Sequence, residues 1–236
     1  MSAIADRINQ VRERIARAAH RAGRNPDEIT LMAVSKTHPP QSIVSAYEAG
    51  IRTFGESRVQ EFAAKAGSLQ SLKDARWILI GHLQSNKAIR AAELFNGVHS
   101  VDSLRLLERL NAAREKLQTP PLSILIEVNV GGEAAKTGLP AEFDAIQELL
   151  NAAPSFPYVQ IRGLMTIPPH TDDPEGARPY FRKLRSLRDE IARNDFPNVS
   201  MEELSMGMSH DFEVAIEEGS TCVRIGTAIF GERESQ

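Results

Sequence analysis

Cysteine is nearly absent from this chain: Cys222 is the only one in 236 residues. A single thiol excludes an intramolecular disulfide and any metal centre built on cysteines. It lies in the apolar run Thr221-Cys222-Val223-Arg224-Ile225 and reads as a small core residue rather than a nucleophile. Excess charge of one sign is lacking too. The formal net charge is -3, which offers neither a polyanion-binding nor a membrane-binding surface. Basic residues do cluster within 7–24 and 178–193, but acids and apolar residues interleave them at helical spacing. That is the pattern of a solvated helix face, not of a nucleic-acid site. No apolar run approaches membrane-spanning length, and the amino terminus opens on an alternating helix pattern with no charged-then-apolar leader. A cytoplasmic location is the expectation. Low-complexity linkers are missing as well, because the Pro-rich stretch 168–174 is a turn-rich loop and not a boundary. One domain over 1–236 is therefore expected.

What the chain does have is a regular alternation of short apolar runs and amphipathic stretches. An opening helix at 4–22 precedes strands expected at 31–35, 52–54, 77–80, 97–101, 123–129, 160–164, 201–205 and 222–225. Helical patterns fall at 40–49, 57–70, 86–95, 104–117, 141–152 and 177–194. Eight strands followed by helical sequence indicate a parallel (β/α)8 TIM barrel with an extra N-terminal helix. A doubly wound open sheet is the alternative architecture.

In such a barrel the chemistry belongs at the carboxyl ends of the strands. Lys36 closes the apolar run 29–35, and a lysine held there reads either as a Schiff-base amine or as a side chain that snorkels its charge out of the strand end. Two later loops, Ser205-Met206-Gly207-Met208-Ser209 and Arg224-Ile225-Gly226-Thr227, combine glycine with a hydroxyl residue just past the last two strands. Barrels frequently bind phosphate on those loops. Glycine admits close approach to the backbone, and Ser209 and Thr227 add hydroxyl donors. The same glycines also serve tight turns. A phosphate anchor facing a lysine suits pyridoxal phosphate, whose aldehyde needs an amine. Arg224 carries donors only, and spacing leaves open whether it meets the pyridine nitrogen or the phosphate.

Ala33-Val34-Ser35-Lys36-Thr37, Phe54-Gly55-Glu56, Gly81-His82-Leu83-Gln84-Ser85-Asn86-Lys87, Gly163-Leu164-Met165-Thr166, the run 204–212 and the run 223–231 together resemble the signatures of the YggS/PROSC family of pyridoxal phosphate homeostasis proteins. The resemblance covers essentially the whole chain, in order. It implies a barrel like the amino-terminal domain of alanine racemase, with pyridoxal 5'-phosphate as an internal aldimine on Lys36. It further implies that Ser209, Gly226 and Thr227 hold the phosphate and that Arg224 lies near the pyridine nitrogen. One departure is visible: Ser57-Arg58 stands where the family often has Asn-Tyr, so Ser57 is not assigned to the site.

Racemisation needs a base on each face of the substrate carbon. Alanine racemases resemble this chain but place a histidine after Met-Thr, where Ile167 stands here, and they bring a tyrosine from a second domain. Tyr47 and Tyr158 fall at helix and strand-start positions, and His82 reads as a structural hydrogen-bonding residue. The expectation is a monomeric carrier, not an enzyme and without catalytic residues or metal. It would bind the cofactor and buffer it or deliver it by transient contact with pyridoxal phosphate-dependent apoenzymes. A pyridoxal phosphate-dependent amino-acid racemase is the main alternative. An aldol-type lysine acting on a phosphorylated substrate without cofactor is a further one.

Overall fold

The computed structural model describes residues 2–231. Eight parallel strands follow one another as β1 (Thr30–Val34), β2 (Thr53–Glu56), β3 (Arg76–Leu79), β4 (Gly97–Val101), β5 (Leu122–Asn129), β6 (Val159–Met165), β7 (Val199–Ser205) and β8 (Cys222–Ile225). Each pairs with its sequence neighbour, and β8 pairs with β1 through Met32 opposite Arg224, so the sheet closes. This is a TIM barrel, and closure leaves no unpaired edge to manage.

Period-two alternation turns successive residues of a strand to opposite faces of the sheet. On β8, Val223 and Ile225 face the helical layer, while Cys222 joins Met32 and Ile78 in a separate cluster. Burial pushes the Cys222 thiol up to about 12, which keeps it protonated and inert. The outer layer comprises α1 (Ala3–Arg21), α2 (Pro40–Glu48), α3 (Val59–Ala66), α4 (Ala88–Leu94), α5 (Leu104–Leu117), α6 (Phe143–Ala152) and α7 (Arg178–Ala192), then two short helices, α8 (Phe212–Glu217) and α9 (Thr227–Phe230).

Helix α1 is the extra N-terminal element. Ser2 caps it by accepting from the Ala5 amide, and its stripe Ile8, Val11, Ile15, Ala18 and Ala19 is buried. It covers the seam between the last and first βα units: Arg7 donates to the Ile229 carbonyl at 2.7 Å, and Arg24, just past the helix, donates to the carbonyls of Ile216 and Ser220.

Three details differ from the sequence reading. The helix expected at 57–70 begins at Val59, because Arg58 is still extended, and a 3-10 turn at Gly67–Leu69 finishes it. Helices α8 and α9 span less than two turns each, too few residues for a helical period to register. The two basic stretches are not merely solvated. Arg14 and Arg21 of α1 and Arg178, Arg182 and Arg185 of α7 converge on Glu213, Glu217 and Glu218 of α8 and its end.

Candidate functional site

A cavity of about 380 Å³ opens at the carboxyl ends of β1, β7 and β8, and Lys36, Ser209, Arg224, Gly226 and Thr227 all line it. Five residues from three separated segments of sequence are thus brought to one place. That volume lies within the range of about 300–1,000 Å³ usual for small-molecule sites.

Lys36 sits on a turn held from both sides. Ser35 before it is fully buried; its hydroxyl donates to Glu56 Oε1 at 2.5 Å, and its carbonyl accepts from Lys65 Nζ at 3.0 Å. Thr37 after it adopts φ +67° and donates its amide to Glu61 at 2.5 Å. Lys65 closes the set, 2.8 Å from Glu56 and 3.4 Å from Glu61. Burial raises the Glu56 pKa while Lys65 and Ser35 oppose the rise. This clamp fixes the backbone that carries the Lys36 side chain.

Arg224 is 3% exposed and pinned. Its Nη1 donates to the carbonyl and hydroxyl of Ser205 at 2.6 and 2.9 Å, and its Nη2 to the Thr166 carbonyl at 2.7 Å. Desolvation lowers its pKa, but guanidinium remains the cation in proteins. Thr166 is itself fixed, its hydroxyl donating to the Val128 carbonyl at 2.6 Å.

The loop between β7 and α8 presents Ser209. Asp211 accepts from the Met208 amide at 2.7 Å, and Gly207 takes φ +91° with Ala215 so close that a Cβ would stand 2.6 Å from it. Gly226 is different. Its φ is negative, and an added Cβ would meet only Val34, at an ordinary 3.6 Å. Packing alone therefore does not require glycine there, whereas a ligand pressed against the bare backbone would. Gly226 precedes α9, whose first amides have no intrahelical acceptor, and Ser209 Oγ stands 3.4 Å from the Ala228 amide. Bare backbone, two hydroxyls and a helix start form a cradle for an oxyanion.

Sequence reasoning missed other lining residues. His38, Ser57, Gly81, Ile167 and His210 border the same cavity. Ser57 departs from the family pattern and so carries no assignment from sequence, yet its position follows directly from the end of β2. His38 stacks on Phe230 at 4.5 Å between ring centroids, and His210 Nε2 lies 3.1 Å from the Thr171 carbonyl. Both histidines neighbour assigned residues in sequence, and that adjacency was the available signal. His82 does not line the cavity; it stands half exposed, 3.7 Å from Asp102. Tyr47 donates to Asp74 on the outer surface, and Tyr158 lies just before β6 at the far end of the barrel.

Residues 7–234 match the model of the alanine racemase N-terminal domain family. A pyridoxal phosphate homeostasis protein from Aquifex aeolicus is 47% identical over 229 residues, covering 97% of this chain and 98% of that protein. PipY of Synechococcus elongatus, solved with pyridoxal phosphate bound, superposes with a TM-score of 0.82 at 36% identity, covering 97% of this chain and all of PipY. An alanine racemase from Clostridium difficile superposes with a TM-score of 0.70 at 14% identity, with 57% of its length covered, a likeness of fold alone.

Proposed function

Because the chain belongs to the alanine racemase N-terminal domain family, and within it to the pyridoxal phosphate homeostasis proteins, we propose that it binds pyridoxal 5'-phosphate in the Lys36 cavity and buffers or delivers that cofactor. The observation that carries this reading is the convergence of an amine, a buried guanidinium and a glycine-hydroxyl cradle on one cavity. The donor set fits the group. Lys36 would bond the aldehyde carbon, Ser209, Gly226 and Thr227 would take the phosphate, and Arg224 would donate to the pyridine nitrogen. When bound, pyridoxal phosphate supplies an electrophilic aldehyde that links reversibly to an amine. The homeostasis names of the relatives favour a carrier role, acting as a cytoplasmic monomer by transient contact with apoenzymes. No helix among the described residues is long and apolar enough to cross a membrane.

Borohydride reduction followed by peptide mass mapping tests the assignment. Lys36 should carry the reduced adduct, and Lys36→Ala should abolish it while leaving the fold intact. An adduct on Lys87 or Lys136 instead refutes the assignment.

The cavity lining bears on a second reading, an amino-acid racemase. No tyrosine lines the cavity, but His38 and His210 do, and either could stand as a base opposite Lys36. Incubation of the loaded protein with L- or D-alanine in deuterated water decides between the two. A carrier incorporates little deuterium at the α-carbon and yields its cofactor to a high-affinity apoenzyme. Turnover at about 1 s⁻¹ or faster across a panel of amino acids makes the protein an enzyme.

A further inference from the structure

The run 81–87 leaves the Lys36 cavity after its first residue. Gly81 lines that cavity, whereas Ser85 and Asn86 line a separate hollow of about 380 Å³ on the outer layer, between α4 and α5. Two buried alanines, Ala88 and Ala113, give it an apolar floor, and Ala112 and Ile89 stand beside them. Ile89 is 54% exposed, more than any other large hydrophobic among the described residues. Arg105, Arg109 and Lys116 complete the lining. With Ala112 these cations fall at steps of four, three and four residues along α5, which is a single row of a helix. None of the three makes an ion pair among the described residues, whereas Arg14, Arg21 and Arg178 are all matched by glutamates.

Cations in a row over an apolar floor complement an occupant of the opposite pattern, with carboxylates in one row and apolar side chains in the next. Length narrows the choice. Arg105 and Lys116 are eleven residues apart, about 16 Å along the helix axis, farther than one carboxylate or phosphate group can bridge. A nucleic acid fits poorly, because no aromatic side chain lines the hollow for a base to stack on. Glu108 and Glu115, on the adjoining row of α5, would also repel its unbroken line of phosphates, while a peptide can place neutral residues there. A bilayer fits no better: α5 buries Leu106, Leu107 and Leu110, which leaves no apolar helix face to insert.

We propose that the hollow between α4 and α5 docks an acidic amphipathic helix of a partner protein, with carboxylates on Arg105, Arg109 and Lys116 and an apolar side chain over Ile89 and the alanines. The proposal stands on the hollow alone. It does not depend on the cofactor reading.

Fluorescence anisotropy of the full chain at physiological ionic strength tests it, with a fluorescein-labelled, alanine-based helical peptide as the probe. That peptide carries glutamates at spacings of four and seven residues, with leucines on the adjoining row. It should bind saturably, and a peptide of the same composition with its glutamates scattered around the helix should bind about tenfold more weakly or worse. Arg105→Glu combined with Arg109→Glu should lose the acidic peptide and gain one with lysines in place of the glutamates. Ile89→Asp should weaken acidic-peptide binding by about tenfold. All three positions are exposed, and Lys116→Glu, which should act in the same direction, serves where one of these variants does not fold. No saturable binding below about 1 mM, equal binding of the scattered peptide, or affinity unchanged in either Ile89→Asp or the double variant overturns the proposal. So does tighter binding of oligouridylate or of phosphatidylserine vesicles, or self-association of the chain, that the double variant abolishes, since the occupant then belongs to another class.

Discussion

Lys65→Met removes the cation that the buried clamp under Lys36 depends on. Lys65 is 8% exposed and Glu56 is fully buried, and their 2.8 Å contact is the only ion pair that Glu56 makes among the described residues. Breaking a buried pair from one side leaves an uncompensated charge and costs about 3–5 kcal/mol. The Ser35 hydroxyl remains as a donor to Glu56, which places the expected loss near the lower end, about 3 kcal/mol. Replacing both partners removes the stranded charge, so Lys65→Met with Glu56→Leu should recover most of that loss. The pH dependence has a definite sign. Burial already raises the Glu56 pKa, and losing Lys65 raises it further, so the folded variant holds a proton that the unfolded chain has released. Between the unfolded and folded pKa values the variant therefore loses about 1.4 kcal/mol of stability per unit rise in pH. Its deficit should be smallest in mild acid and fully developed above the folded pKa. Urea midpoints at several pH values measure all of this. A single-variant cost below about 1 kcal/mol, or a double variant no more stable than the single one, refutes the clamp as an energetic unit.

Ser209→Ala deletes a hydroxyl donor to a charged acceptor, worth about 1.5–3 kcal/mol, and should weaken cofactor binding roughly ten- to a hundredfold in a fluorescence titration while Lys36 still forms its link at high cofactor. Gly226→Ala places a methyl on the cavity side with only ordinary contact to Val34, so thermal unfolding should barely move while cofactor affinity falls. A loss of fold instead of affinity would show that the glycine serves packing. Cys222 should resist alkylation in the native protein and react on denaturation, because its thiol is buried and its pKa pushed up to about 12.

The barrel was legible because each of its eight strands ends in a change of hydrophobic period, which local sequence records directly. Lys36 and the glycine-hydroxyl loops were legible for a related reason: polar groups at the ends of core strands stand out against apolar runs. The clamp was not. Lys65 lies three residues after buried Phe62, on the inner face of α3, where a lysine looks like an ordinary helix residue until tertiary structure sets it against Glu56. The same holds for Glu127, whose partner Thr137 is brought to it only by the folding of the loop after β5. His38 and His210 sat beside assigned residues but carried no periodic signal of their own.

Arg224 connects this architecture to the proposed role. Both of its terminal nitrogens are held, Nη1 by the Ser205 carbonyl and hydroxyl and Nη2 by the Thr166 carbonyl, so the guanidinium is preorganised and can only donate. On the proposed reading it would engage the lone pair of the pyridine nitrogen, which is the site an acid would otherwise protonate. An aspartate there would keep the ring protonated and strongly electron-withdrawing, whereas an arginine orients the ring without protonating it, which by itself does not forbid α-proton abstraction. On the same reading Lys36 on its clamped turn and the cradle at Gly226 would supply two reversible attachments, one covalent and one ionic. On the proposed reading such a site would bind a cofactor through groups fixed in advance, and what separates a carrier from a racemase there is a second base opposite Lys36, not Arg224.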